Sequence, residues 1–341
     1  MSEKSKFRMC PATGIGSMPG GDAREAAKTV TGSFGDGQGV PYLAELPARG
    51  PGADMIGRTI GLLVEMYGHV EPSGWRISDR PGRDTRRARS WLGEDLDALE
   101  EFTQGYEGPL KVQAVGPWTL AAALERRGGE AVLGDRGACR DLAGSLTEGL
   151  RDHLAEVRRR MPGARVILQL DEPSLTGVLR GQVRTASGYR TYRAVDRQLV
   201  ESTLREVLGA AGEGATLVHT CAPEVPFALL RRAGADGISF DFSLLTEREE
   251  EAIGEAVEGG TQLFLGVVPG TEPASDGLSD PGGSVMGVRT LWRRLGLNPG
   301  TLTESVAITP SCGLAGASPA YARAALAHCA RAAKSLADNP E

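Results

Sequence analysis

"RVILQLDEP" (165–173) is the stretch from which the fold can be read. Val166, Ile167, Leu168 and Leu170 make it apolar on both sides, two carboxylates follow, and Pro173 stops it. An apolar run without alternation is a strand covered on both faces, as strands of parallel sheets are. Seven more runs of this kind punctuate the chain. They are "TGIGS" (13–17), "PYLAEL" (41–46), "LKVQAVG" (110–116), "TLVHTCA" (216–222), "GISFDFS" (237–243), "QLFLGVVP" (262–269) and "VAITPSC" (306–312). Helical patterns lie between most of them, over 53–68, 139–160, 197–212, 223–234, 247–260, 284–296 and 318–338. In the second of these, Leu142, Leu146, Leu150 and Leu154 recur every fourth residue, one face of a helix. Eight strands alternating with helices predict an α/β fold, a (β/α)8 TIM barrel, forming a single domain over 12–338 behind a tail at 1–11. The competing architecture, an open doubly wound sheet, calls for G-x-G-x-x-G after the first strand, and none follows it.

The bulk composition agrees. A chain of 341 residues suits one such barrel or two ordinary domains. The net charge of -6 does not suit a nucleic-acid-binding surface. The basic runs "RRARSW" (86–91) and "RRR" (158–160) read as solvated helix faces. No apolar run reaches the length of a membrane span, and "MSEKSKFRMC" (1–10) lacks the apolar centre of a signal peptide. Five scattered cysteines do not make a disulfide framework, so a cytoplasmic location with free thiols is expected.

In a barrel of this type the chemistry sits at the C-terminal strand ends. Those ends carry Ser17, Glu45, Gly116-Pro117-Trp118, Asp171-Glu172, His219-x-Cys221, Asp241 and Cys312. Residues two apart on a strand face the same side, so His219 and Cys221 point together into the mouth. An imidazole and a thiolate are zinc ligands, and Asp241 and Cys312 from other strands would complete a set of four. Two sulfurs favour zinc over magnesium or calcium. The bland alternative, buried core thiols and a core histidine, suits each residue singly, but three strand ends coincide. Asp241, a hard oxygen ligand, is the one expected to yield to an incoming sulfur. Cys10, Cys139 and Cys329 read as structural, and His69, His153 and His328 as surface residues of helical segments. Asp171 and Glu172 are costly to bury unless they meet a cation, either a substrate ammonium or a neighbouring arginine.

These motifs together resemble the catalytic, C-terminal barrel of cobalamin-independent methionine synthases. The likeness runs from about residue 12 to 320 through "GIGSMP" (14–19), "AELPARGPGADM" (44–55), "VGPWT" (115–119), "QLDEP" (169–173), "HTC" (219–221), "SFDFS" (239–243) and "PSCGL" (310–314). The resemblance implies methyl transfer to the thiol of homocysteine, giving methionine. It implies zinc on His219, Cys221 and Cys312, with Asp241 where the family has a glutamate. Ser17, Glu45 and Asp171 would hold the amino-acid end of homocysteine, and the methyl donor would lie near Trp118 and Trp75. Three departures bear on the donor. The full-length enzymes carry an extra N-terminal barrel with no counterpart here. "GVVPGTEP" (266–273) has Thr271 close to the place of the family's histidine, and no Lys/Arg cluster for a polyglutamate tail stands out. Methyl-tetrahydrofolate and a methyl-corrinoid, the latter on a carrier protein, are therefore both expected donors, with no nucleic-acid or membrane partner. Two other readings remain: a zinc thiol methyltransferase of the uroporphyrinogen decarboxylase-like group, and a zinc-binding barrel without turnover. The "QLDEP" carboxylates favour an acceptor bearing an ammonium.

Overall fold

The computed structural model describes residues 11–35, 37, 39–273 and 278–341. Cys10 with the rest of 1–10, and residues 36, 38 and 274–277, lie outside the described residues. Eleven strands are assigned among the described residues: β1 (Ala12–Thr13), β2 (Gly39–Val40), β3 (Tyr67–Glu71), β4 (Gly74–Ser78), β5 (Pro109–Val115), β6 (Leu124–Glu125), β7 (Arg165–Asp171), β8 (Ala215–Thr220), β9 (Gly237–Asp241), β10 (Gln262–Val268) and β11 (Val306–Pro310). Eight form one parallel sheet in the order β2-β1-β11-β10-β9-β8-β7-β5. Its two ends meet. A parallel bridge joins Tyr42 to Lys111, with Lys111 N donating to Pro41 O at 2.9 Å and Leu43 N to Lys111 O at 3.0 Å. The sheet is thus a closed (β/α)8 TIM barrel, as expected.

The first two strands are shorter than the sequence runs. Beyond them the backbone stays tied as far as the mouth, where Ser17 bridges Glu45. Residue alternation divides each strand between an outer and an inner face. The outer faces pack on helices, and Leu142, Leu146, Leu150 and Leu154 of the helix Arg136–Arg160 are all fully buried there. The inner faces make a separate small cluster, Val40, Ile167, Leu217, Phe264 and Ala307, which plugs the barrel. Above that plug the lining turns polar.

Three expectations need correction. The periodic stretch 53–68 is helical only over Met55–Leu62. Leu63 turns extended at ψ 138° and Glu65 takes a left-handed φ of 57°, so the chain leaves the helix. It then enters the antiparallel β3–β4 hairpin, which pairs with β6 in a small second sheet. His69 therefore lies on a strand, with its Nε2 2.9 Å from Glu71 Oε1. His153 and His328 are buried, not exposed: each sits on the apolar side of a long helix, and His328 Nε2 meets Ser284 Oγ at 2.9 Å. The basic runs are largely solvated, as read; Arg159 and Arg160 both pair with Glu156. No helix among the described residues is long and apolar enough to cross a membrane.

Candidate functional site

β8 and β9 run in register with His219 opposite Ser239. This places Ser239 Oγ 2.9 Å from His219 Nδ1. One ring nitrogen is thereby held, and the other, Nε2, is buried with no hydrogen-bond partner. Cys221 follows directly on β8. Cys312 lies two residues past β11, where Ser311 N donates to Val268 O at 2.8 Å and anchors the turn. The two sulfurs are 3.3 Å apart. The donor atoms of His219, Cys221 and Cys312 all lie within 4.8 Å of one another. Two thiolates on a tetrahedral zinc, at about 2.3 Å from the metal, stand about 3.8 Å apart. The arrangement therefore fits zinc with a small adjustment, and the free Nε2 faces the remaining need for a nitrogen ligand. The Ser239 contact fixes ring orientation as partners of ligating histidines do. His219 is buried, Cys221 half-buried and Cys312 exposed, so the group is open on one side. Three protein ligands and an open side is the pattern of catalytic zinc, not of closed structural sites.

The thiols titrate together. Hydrogen bonding with Cys221, and then the neighbouring His219, pull the Cys312 thiol down to about 4. The same contact pushes Cys221 up. Asp241 is not among the gathered ligands. Its Oδ1 accepts from Ser243 N at 2.9 Å and Ser243 Oγ at 2.6 Å, capping the turn after β9. A short carboxylate satisfied by its own backbone two residues on is held locally, which accounts for three candidate ligands gathered where four were expected.

Ser17, Glu45 and Asp171 come together beside this group. Ser17 O accepts from Leu314 N at 2.9 Å, and a Cβ on Gly313 would sit 2.0 Å from Ser17 Oγ. Glycine after Cys312 is thus what lets the two segments touch. Glu45 and Asp171 are 4% and 6% exposed, too deep to be solvated carboxylates. Burial raises both, and the negative charge of Glu45 raises Asp171 further. The charge on Cys312 adds to that, which ties Asp171 electrostatically to the sulfur centre. Glu172 parts company with Asp171. It points to the helix layer, fully buried, and accepts from Trp118 N at 2.9 Å, Thr119 N at 2.7 Å and Thr119 Oγ1 at 2.7 Å. Burial pushes it up to about 7 against those bonds. Its partner is a helix start, neither an ammonium nor an arginine.

Trp118 is 2% exposed, with its indole N–H 3.4 Å from Val200 O, and Trp75 is 6% exposed. Both rings are enclosed by protein, so neither offers the open wall at the mouth that the resemblance implies. Thr271 is exposed just past β10. Sequence reading passed over four residues of the site: Ser239, Lys111, Gln113 and Gln169. The signal was present as spacing, since Gln169 stands two before Asp171 and Lys111 two before Gln113, each pair sharing a face.

The sequence model for the cobalamin-independent synthase catalytic domain matches residues 10–335. The chain is similar in structure to a B12-independent methionine synthase from Shewanella sp. W3-18-1 in complex with selenomethionine, at 14% identity and a TM-score of 0.61, over 96% of this chain and 97% of that one. It is also similar to a methyltransferase from Methanosarcina mazei, at 14% identity and a TM-score of 0.58, over 97% of this chain and 93% of that one. No curated protein matches the sequence significantly.

Proposed function

The chain belongs to the family of cobalamin-independent synthase catalytic domains, and we propose that it methylates the thiol of homocysteine to give methionine, with the barrel 12–338 as the working unit. The observation that carries this reading is the meeting of His219, Cys221 and Cys312 within 4.8 Å beside two buried carboxylates. A sulfur-rich metal site and a pocket for an ammonium, side by side, suit an amino acid that carries a thiol.

His219 Nε2, Cys221 Sγ and Cys312 Sγ would hold the zinc ion, with Asp241 held aside by Ser243. Zinc, when bound there, supplies the Lewis acidity that keeps a thiol ionised near neutral pH. The chain's own residues do the orienting. Glu45 and Asp171 receive the acceptor's ammonium, and Ser17 adds a hydroxyl at the same end. Holding that end fixes where the sulfur stands, and fixed approach of two reactants removes much of the entropic barrier. The exposed Cys312 side leaves the donor an open approach.

Two donors fit this half of the site. Methyl transfer from a methyl-folate leaves an amine that must take a proton; transfer from a methyl-corrinoid leaves the reduced corrinoid and needs none. No histidine stands at 266–273 to give that proton, which favours the corrinoid route. The test is methionine formation from homocysteine by the zinc-loaded protein, run in parallel with methyl-tetrahydrofolate and methylcobalamin. Product from either donor supports the reading, and product from methylcobalamin alone supports the corrinoid route. A protein that holds one zinc and alkylates homocysteine with neither donor is a binding barrel, and the proposal fails.

A further inference from the structure

Beneath Glu45 and Asp171 lies a layer of polar side chains that binds no metal and is too deep to touch a donor. Lys111 is fully buried. Its Nζ donates to Ile15 O at 2.7 Å and stands 5.0 Å over the ring of Tyr42. The same carbonyl accepts from Gln169 Nε2 at 2.9 Å, and that amide also donates to Asp171 Oδ1 at 2.6 Å. On the adjacent strand, in register with Gln169, Gln113 Nε2 donates to Leu43 O at 2.7 Å and bears on Glu45. Each carboxylate thus rests on a glutamine amide, and one lysine lies under both. Buried lysines are rare without a paired charge, and a helix or turn needs nothing from this one.

We infer that Lys111 is a positioning residue that tunes the acceptor pocket to a thiol carrying one ammonium group. Arg58, behind Glu45, is already paired with Asp95, so the two buried carboxylates have Lys111 alone to balance them and are a single positive charge short, which one substrate ammonium completes. The inference rests on the reading of this pocket as the amino-acid site. The charges around Lys111 are Asp171 from β7 and Glu45 from the segment after β2; Arg58 and Asp95 act on Glu45 from behind, and Cys312 acts on Asp171. Burial lowers Lys111 to about 7 while Asp171 and Glu45 raise it.

The experiment is calorimetric binding of homocysteine, and of its des-amino analogue 4-mercaptobutanoate, to the zinc-loaded protein from pH 5.5 to 8.5. In Lys111→Met the carboxylates lose their internal cation and ionise at higher pH. The acid limb of homocysteine binding should move up by about one pH unit, a roughly tenfold loss at neutral pH, while 4-mercaptobutanoate binding changes less than about twofold. Gln169→Met removes the amide hydrogen bond that lowers Asp171 but keeps the Lys111 charge, so it should move the limb in the same direction by less than Lys111→Met does. Lys111→Gln, which keeps a donor toward Ile15 O, serves if the methionine variant does not fold, and should shift the limb equally. An unshifted limb in a folded Lys111 variant, or equal losses for both ligands, overturns the inference. Wild-type protein that binds neither thiol overturns the reading of the pocket instead.

Discussion

Ser239 touches no substrate in this reading, yet it decides how His219 presents itself. Its hydroxyl occupies Nδ1 at 2.9 Å and leaves Nε2 facing the two sulfurs. Outer partners of ligating histidines typically account for a 10–100-fold factor in metal affinity. Ser239→Ala should therefore bind zinc about 10–100-fold more weakly in competition with a chromogenic chelator, with unchanged folding. Cys312→Ser removes a ligand atom outright and should lose stoichiometric zinc under the same conditions. A Ser239→Ala protein with wild-type affinity would mean that packing alone orients the ring. Asp241 makes the contrast at the same scale: its carboxylate is taken up by Ser243, so residue type and strand position together do not suffice to name a ligand.

The short helix Pro117–Ala123 follows directly on β5, and Glu172 is what starts it. A helix leaves its first N–H groups without partners. Here no side chain of the helix's own entry caps it, and Glu172 reaches across from β7 to take two of them and the Thr119 hydroxyl. A Cβ at Gly116 would meet Glu172 Oε1 at 2.4 Å, so the turn and the carboxylate are fitted to each other. Glu172→Ala strands these buried donors, and each unsatisfied group costs roughly 1–3 kcal/mol. A loss of about 3 kcal/mol in urea unfolding is expected, with zinc content intact; a loss below about 1 kcal/mol would mean that water replaces the carboxylate. At this scale one sees what sequence reading could and could not reach. Apolar strand runs announced themselves because both faces are covered, and their polar ends named His219, Cys221, Cys312, Ser17, Glu45 and Asp171. Lys111, Gln113 and Gln169 did not stand out, because a polar residue inside an apolar run acquires meaning only when barrel closure turns its face inward. The β3–β4 hairpin was hidden for the opposite reason: residues 53–68 keep helical spacing, and the break depends on the backbone of Leu63 and Glu65. Asp171 and Glu172 read as one pair, since only the pleat sends them to opposite sides.

Across the whole molecule, the mouth and the helix layer are joined by charge as well as by packing. Arg58, 3% exposed, donates to Ala44 O at 3.1 Å, next to Glu45, and pairs with buried Asp95 at 2.7 Å. Its charge lowers Glu45 on one side and His153, on the helix Arg136–Arg160, on the other. Burial first and Arg58 second hold the His153 imidazole down at about 3. An imidazole in the unfolded chain titrates near its ordinary value of about 6.5. Below that pH the unfolded chain takes a proton that the folded protein refuses. His153 therefore lowers stability as pH falls from about 6.5 toward 3, by up to about 1.4 kcal/mol per pH unit. Other groups titrate in the same range. His328, also held low, acts in the same direction. The buried Glu45, Asp171 and Glu172 are raised, so they act oppositely, lowering stability as pH rises through their range. Glu156, pulled down to about 2 by hydrogen bonds from Arg159 and Arg160, gives up stability only below about 4.5. The histidine is isolated by subtraction. His153→Leu keeps the site apolar and removes the titration, so its stability relative to wild type should climb as pH falls from 6.5 to 4.5, by roughly 2 kcal/mol in urea unfolding. A flat difference over that window would mean that His153 is protonated in the folded state. Arg58 and Glu156 would then act on an imidazolium instead of a neutral ring.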